Sequence, residues 1–306
     1  MVLSTESTVS FAVNGETFVT SYKLFGNLTE SSLPPLIAVH GGPGLVGCYL
    51  SPLADLAEKN ELQPVIIYDQ LGNGKSSHVE DKPTEFFTVR LYIDELENLI
   101  SKLGIKGYHL LGHSWGGALC SELEVQKHPS GLKSIILTNS LAEMRLADQS
   151  MGERIATLDN LEEVLEGFTK GFEDPKAFRK SVEALHGRYV MKYIQEQPLP
   201  DDLATFDWVW GNEEKGIKGD KTVTVKMIES KTWSITDRIH LIRVPVLLIT
   251  ATDDMIQSYA SEPFFWGLKN VKWVNMEKSS HLPFWEEREK YMVIVGKWLQ
   301  GVNFQE

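Results

Sequence analysis

The chain has 306 residues, of which 42% are hydrophobic and 24% charged, a composition typical of a globular protein of one or two domains. Its formal net charge of −12 argues against nucleic acid and anionic membranes as partners, because both require clustered cationic side chains. The two cysteines, Cys48 and Cys120, do not indicate a disulfide scaffold, and no Cys/His spacing indicates a metal site.

The N-terminal segment predicts a β-hairpin and no export signal. Residues 1–18 contain neither a basic stretch nor an apolar run of about 7–15 residues, so no signal peptide is expected. No segment reaches the roughly 20 apolar residues that span a bilayer, and we expect a cytoplasmic protein. Polar and apolar residues alternate on both sides of Asn14-Gly15, which is a strong hairpin signal.

Short continuous apolar runs recur along the rest of the chain and predict strands that are buried on both faces, as in parallel sheets. Between several of them lie helical patterns, such as residues 88–103, which end at Gly104. Alternating strands and helices predict an α/β fold with a mostly parallel, doubly wound sheet. The predicted strands are 36–40, 64–68, 108–112, 134–138, 245–250 and 271–275.

A stretch of about 90 residues interrupts this alternation. From about 143 to 235 the sequence is rich in charge, Trp and Phe, and it shows helical segments at 158–172 and 175–194 without a buried-strand pattern. We interpret it as a helical cap over the carboxyl edge of the sheet. The predicted division is therefore a core of residues 1–142 and 236–306, with the cap at 143–235.

The strongest chemical signal is Gly112-His113-Ser114-Trp115-Gly116, a G-x-S-x-G between an apolar run and a helical pattern. This is the strand, sharp turn and helix context of a nucleophile elbow. Small flanking residues permit the strained turn that exposes the serine, and the helix N-terminus stabilises negative charge. The motif by itself is only moderately specific. In this context it predicts that Ser114 is a nucleophile.

A second motif, His40-Gly41-Gly42-Pro43-Gly44, directly follows a predicted strand. A glycine-rich turn there can aim a backbone N–H at the same point as the N–H of Trp115, and the two would bind an oxyanion. Gly42 is the candidate donor, with Gly41 beside it at the substrate. The alternative is a tight turn without a catalytic part.

A serine nucleophile needs a base, and His281 is the candidate among eight histidines. It lies in a loop after the last predicted strand, where the chain order Ser, Asp, His places the base. A surface histidine is the alternative. The acid that orients this ring is Asp253 or Asp254, which both follow a strand end directly, and Asp253 can instead form an Asx turn.

Four segments in this order resemble the proline iminopeptidase family and the related L-amino acid amidases, over roughly two-thirds of the chain. They are His40–Gly44 (HGGPG), Tyr68–Ser76 (YDQLGNGKS), Gly112–Gly117 (GHSWGG) and Ser280–Glu286 (SHLPFWE).

The resemblance implies an α/β-hydrolase core with a helical cap, no metal or organic cofactor, and hydrolysis of an N-terminal residue, often proline, from peptides or amides. In the family the acid closes a G-x-x-D turn, which selects Asp254 because Ala251 occupies the glycine position. Family carboxylates hold the substrate's ammonium group. The counterpart of one is Glu213, and the position of another is Thr252.

Two other functions remain open from the sequence. The same triad can act on an ester, thioester or biosynthetic intermediate without a free amine, and the neutral Thr252 favours this reading. A ligand receptor or scaffold that keeps only the fold is the third possibility, which the complete set of catalytic motifs argues against. We expect a small-molecule or short-peptide substrate, and the sequence makes no prediction of oligomeric state.

Overall fold

The structure is a computed structural model that describes residues 3–59, 63–194, 200–212 and 214–303. Over these ranges the chain forms one eight-stranded sheet with the order β1-β2-β4-β3-β5-β6-β7-β8. The strands are β1 (Ser4–Val13), β2 (Glu16–Phe25), β3 (Leu36–Val39), β4 (Val65–Tyr68), β5 (Tyr108–His113), β6 (Leu132–Thr138), β7 (Val246–Ala251) and β8 (Val271–Met276).

Strands β1 and β2 form the predicted hairpin, in which Val13 pairs with Glu16. Asn14 and Gly15 have φ angles of 53° and 80°, the left-handed conformation that a type I′ turn needs at both central residues. Strand β2 is also antiparallel to β4, whereas β3 to β8 pair in parallel. The predicted α/β fold with a mostly parallel sheet is therefore confirmed.

The helices connect these strands, and α2 begins and ends where the local sequence predicts. The hydroxyl of Thr88 accepts the N–H of Leu91 at 3.1 Å and caps the helix predicted at 88–103, and Gly104 follows its end. In the described part of the chain the α-helices are α1 (Asp55–Lys59), α2 (Val89–Lys102), α3 (Trp115–Lys127), α4 (Met144–Ile155), α5 (Leu161–Lys170), α6 (Pro175–Tyr189), α7 (Asp207–Trp210), α8 (Thr222–Lys226), α9 (Glu262–Gly267), α10 (Pro283–Glu286) and α11 (Arg288–Asn303).

The core lies on both faces of the sheet, because successive strand residues point to opposite sides. In β3, Ile37 packs with α2 and α3, whereas Leu36 and Ala38 pack with α1 and α11. All three of these side chains are fully buried. Covering both faces removes the strands from water, which explains their continuous apolar sequences.

Two elements differ from the sequence prediction. Strand β8 is the edge of the sheet, so Trp273 and Val274 are only half-buried instead of enclosed on both faces. The helix expected over 175–194 ends at Tyr189, and the following residues turn toward the sheet, where the N–H of Met255 donates to the carbonyl of Tyr189 at 3.1 Å. Contacts with the loop after β7, which contains Met255, thus end this helix earlier than the sequence periodicity alone predicts.

Helices α4 to α8 all lie between β6 and β7, in the segment interpreted as a cap. The two ends of this segment meet at an isolated antiparallel bridge between Glu143 and Ser234. The N–H of Met144 also donates to the carbonyl of Trp233 at 2.9 Å. The division of the chain at 142/143 and 235/236 stays a prediction.

Candidate active site

Ser114 occupies the sharp turn between β5 and α3. Its φ and ψ angles are 55° and −126°, a strained conformation for a residue with a side chain. The surrounding structure holds this backbone with three hydrogen bonds. The Ser114 N–H donates to the carbonyl of Thr138 at 3.0 Å, and its carbonyl accepts from Ser140 Oγ at 2.9 Å and the N–H of Gly117 at 3.0 Å. The structure thus forms the elbow that the motif predicts.

Two glycines let the elbow pack directly against the end of β3. A Cβ at Gly116 would lie 2.2 Å from the carbonyl oxygen of Val39, and a Cβ at Gly41 would lie 2.9 Å from Cβ of Ser114. Neither approach tolerates a side chain. The glycine-rich turn after β3 and the serine are therefore neighbours because both positions lack a Cβ.

The backbone N–H groups beside Ser114 differ in whether they are free to donate a hydrogen bond to a ligand. The N–H of Gly41 donates to the hydroxyl of Tyr49 at 2.7 Å. Within the described residues, no acceptor lies in reach of the N–H groups of Gly42 and Trp115. Trp115 is the first residue of α3, where N–H groups have no partner in their own helix. Gly41 therefore lines the site through its backbone, and Gly42 and Trp115 keep free donors.

A relay that the sequence did not reveal runs from this turn to the base. The Tyr49 hydroxyl lies 2.8 Å from His113 Nδ1, and His113 Nε2 lies 2.8 Å from the carbonyl oxygen of His281. Burial lowers the pKa of His113 well below its ordinary value, so the ring is neutral. Because its Nε2 faces a carbonyl, that nitrogen carries the proton, and Nδ1 accepts from Tyr49.

His281 and Asp254 are in direct contact and buried. His281 Nδ1 lies 2.6 Å from Asp254 Oδ1, which also accepts the N–H of Ile256 at 2.9 Å. Burial raises the pKa of Asp254, whereas the Ile256 N–H and the charge of Arg154 act in the opposite direction. Burial lowers the pKa of His281 to about 3, which makes its ring neutral at physiological pH. With Nδ1 donating to the carboxylate, Nε2 is free to accept a proton.

Asp253, the alternative acid, points elsewhere. Its Oδ2 accepts from Lys192 Nζ at 2.6 Å and from the hydroxyl of Tyr193 at 2.5 Å. Of the two carboxylates, only that of Asp254 contacts the ring of His281.

Cap residues fix the loop that carries Asp254. Arg154 of α4 donates from Nε to the carbonyl of Asp254 at 2.9 Å and from Nη2 to the carbonyl of Thr252 at 3.0 Å. Its guanidinium lies 4.7 Å from the ring centroid of Tyr189. The loop of His281 is held separately, because Asn139 Nδ2 donates to the His281 carbonyl at 3.0 Å. The two loops are also joined directly, because the N–H of Asp253 donates to the carbonyl of Ser279 at 3.0 Å.

Ser114 and His281 share a cavity of about 180 Å³, here called the inner cavity. Gly41 and Gly42 also line it, and no carboxylate does so among the described residues. The apolar part of the wall comes from the core and the cap: Leu45, Val190, Met191, Leu203, Met255 and Leu282.

Other residues singled out by the sequence lie in different places. Thr252 borders a separate surface cleft, where its hydroxyl accepts from Asn275 Nδ2 at 2.9 Å. The indole of Trp115 does not line the inner cavity and packs against Trp233 in the core, at 5.6 Å between ring centroids. Glu213 lies outside the described residues.

Three aromatic residues of the cap lie in three different places. Phe206 lines the inner cavity, Trp210 lines a neighbouring cavity, and Trp208 borders a cleft on the surface. Across the described ranges, no cluster of three or more His, Cys, Asp or Glu side chains could hold a metal ion. No helix in those ranges has the length and apolar character needed to cross a bilayer.

Comparisons with known proteins agree with this fold. Residues 34–288 match the alpha/beta hydrolase fold family. The chain is 31% identical over 293 residues to a proline iminopeptidase of Clostridioides difficile, covering 93% of this chain and 95% of the relative.

Among solved structures, VinJ superposes with a TM-score of 0.84 at 30% identity, covering 97% of this chain and 99% of VinJ. A proline iminopeptidase of Mycobacterium smegmatis superposes with a TM-score of 0.76 at 28% identity and the same coverage. The chain belongs to the α/β-hydrolase fold family and, within it, to the proline iminopeptidase family that its motifs resemble; it is a hydrolase.

Proposed function

We propose that this hydrolase cleaves the N-terminal residue from small peptides or amino-acid amides through a covalent acyl-enzyme on Ser114. The observation that carries the serine mechanism is the 2.6 Å contact between His281 Nδ1 and Asp254 Oδ1 at the cavity that contains Ser114. A neutral, oriented imidazole beside a serine on a strained elbow is the arrangement that activates a hydroxyl.

In the proposed first step, Ser114 Oγ attacks the substrate carbonyl carbon while His281 Nε2 takes the hydroxyl proton. Asp254 stabilises the resulting imidazolium. The N–H groups of Gly42 and Trp115, which have no other acceptor among the described residues, bind the oxyanion. The tetrahedral intermediate then collapses. The C–N bond breaks, and His281 gives its proton to the departing amine.

The second step removes the acyl group. Water attacks the ester carbon and gives a proton to His281, and the bond to Ser114 Oγ breaks as the oxygen takes that proton back. The product is a free amino acid. No step needs a metal or a cofactor, because the acid–base work is complete within Ser114, His281 and Asp254.

The proposed substrate has a free N-terminal amine, and the named relatives support this. The family relatives are proline iminopeptidases. A substrate ammonium in a closed site requires a paired anion, for which Glu213 is the proposed residue in the cap.

A specific observation supports a second candidate, hydrolysis of an ester or thioester without a free amine. The described lining of the inner cavity is largely apolar and contains no carboxylate, and Thr252 lies in another cleft. A neutral acyl group fits such a wall without a counterion. The catalytic steps at Ser114 are the same for both substrates.

The deciding experiment compares proline and alanine p-nitroanilides, their N-acetylated forms and simple p-nitrophenyl esters. Ser114→Ala is the control for the nucleophile, and Glu213→Gln tests the amine site. Cleavage restricted to the free-amine anilides supports the aminopeptidase proposal. Cleavage of esters alone refutes it in favour of the second candidate. Failure of a fluorophosphonate to label Ser114 would refute the serine mechanism itself and favour a receptor or scaffold.

A further inference from the structure

A second cavity adjoins the inner cavity and plays no part in the steps above. It has a volume of about 550 Å³, against about 180 Å³ for the inner cavity, and we call it the outer cavity. The cap forms it from α6, α7 and the 3₁₀ helix Asp201–Phe206. The two cavities share four lining residues: His186, Met191, Leu203 and Phe206.

His186 is a buried polar side chain with unused hydrogen-bonding groups at this junction. Its exposure is 9%, and its ring packs against Phe206 with 4.4 Å between centroids. Among the residues that the structure describes, His186 takes part in hydrogen bonds only through its backbone, whose carbonyl accepts from Val190 and Met191. Burial lowers its pKa to about 3, so the ring is neutral and offers one donor and one acceptor. Neither nitrogen is among the fully buried polar atoms that lack a partner, so both reach the cavity space and are available to a ligand there.

The lining of the outer cavity includes charged side chains and is more polar than that of the inner cavity. Asp207 is buried there and accepts from Asn212 Nδ2 at 2.9 Å. Lys215 Nζ lies 3.4 Å and Arg179 Nη2 lies 3.5 Å from its carboxylate oxygens. Charges of both signs therefore face this space, which suits the amide groups and charged end of a peptide.

We infer that the outer cavity binds the leaving part of a peptide substrate and that His186 hydrogen-bonds to its first peptide group. The inference rests on the proposed function. An enzyme that releases one N-terminal residue has a compact acyl part beside Ser114, so the larger space must hold the remainder of the chain. The substrate class is then short peptides, not simple amino-acid amides. His186 is the specificity-determining residue that distinguishes them.

The test measures kcat/KM for prolinamide, prolyl-alanine and prolyl-alanyl-alanine with the wild-type protein, His186→Leu and His186→Gln. His240→Leu is the matched control, because this exposed histidine lines neither cavity. We expect the wild-type protein to prefer the tripeptide to the amide. In His186→Leu this preference falls about fivefold to tenfold, the effect of one lost hydrogen bond. Gln at 186 restores most of it, and His240→Leu leaves it unchanged.

Three results would overturn the inference. The first is an equal loss of kcat/KM on the amide and the tripeptide in His186→Leu, and the second is no loss on either substrate. The third is a wild-type kcat/KM that does not depend on peptide length. In each of these cases the proposed function survives, because peptides are still cleaved. Cleavage of p-nitrophenyl esters without cleavage of any peptide overturns both. A lowered thermal unfolding temperature of His186→Leu would reveal a folding defect. In that case the kcat/KM values of His186→Gln test the inference instead.

Discussion

Replacement of Asp254 by Asn tests the catalytic geometry most directly. The Oδ1 atom of Asp254 accepts both the His281 Nδ1–H and the N–H of Ile256. An asparagine that places its amide oxygen there keeps both hydrogen bonds and loses the negative charge. The imidazolium that forms during Ser114 attack then lacks its counterion.

The magnitude follows from Coulomb's law for the buried pair. Charges about 4 Å apart at an effective dielectric constant of about 20 attract by about 4 kcal/mol, which corresponds to a decrease in kcat of about 10³. A flipped amide that fixes the wrong imidazole tautomer raises the loss to about 10⁴. Asp253→Asn is the matched control. Its partly exposed pair with Lys192 is worth at most about 1 kcal/mol, so kcat should change less than about fivefold.

The assay is the initial rate with a saturating p-nitrophenyl ester, together with the rate of fluorophosphonate labelling of Ser114. Both readouts are independent of whether the natural substrate has a free amine. The proposed role of Asp254 is refuted if Asp254→Asn keeps more than about a tenth of wild-type kcat, or if Asp253→Asn loses as much.

Three further predictions address positioning, packing and pH. Arg154→Met removes the two hydrogen bonds that hold the acid loop and should lower kcat about tenfold, whereas Arg145→Met on the exposed face of the same helix should not. Gly116→Ala places a methyl group 2.2 Å from a β3 carbonyl and should lower the free energy of unfolding by about 3 kcal/mol in denaturant titrations, whereas Gly152→Ala, with open space around it, should not lower it. His186 has a pKa of about 3 in the folded protein and about 6.5 when unfolded, so its contribution to stability is lost as the pH falls from about 6.5 to 3. Between pH 6 and 4 the wild-type protein should therefore lose about 1.4 kcal/mol per pH unit more than His186→Leu.

Each of these has a clear contrary result. Equal activity of the two arginine variants would show that the cap does not position the acid loop. An unchanged unfolding midpoint for Gly116→Ala would mean that the elbow can move away from β3. Parallel curves of stability against pH for wild-type and His186→Leu would mean that this ring takes up its proton equally readily in both states.

The sequence predicts the core well because local patterns and tertiary structure agree there. The apolar runs of β3 to β7 are buried on both faces, and Asn14-Gly15 forms the turn that its conformational preferences favour. The half-buried β8 has the same kind of sequence, because an edge strand differs from a central one only by its neighbours. Such neighbours are not visible in a local pattern.

In the candidate site, too, local motifs predict some residues, whereas others depend on tertiary contacts. Motifs predict Ser114, His281 and Asp254, because the chemistry proposed for them constrains residue type and chain order. His186 and Arg154 lie in ordinary amphipathic helices, and only the docking of the cap brings them to the site. The relay from Tyr49 through His113 is equally hidden, since it joins residues 64 positions apart. No spacing rule predicts these contacts.

The connection between α6 and the acid loop has a consequence for how this protein can be redesigned. Helix α6 supplies His186 to the cavities, and its last residue, Tyr189, bonds to Met255 and stacks on Arg154. The cap segment is thereby fastened to the loop that carries Asp254. A cap taken from a relative therefore has to provide contacts equivalent to those of Tyr189 with Met255 and Arg154. Without them, a change intended for substrate preference would also displace Asp254, the proposed catalytic acid.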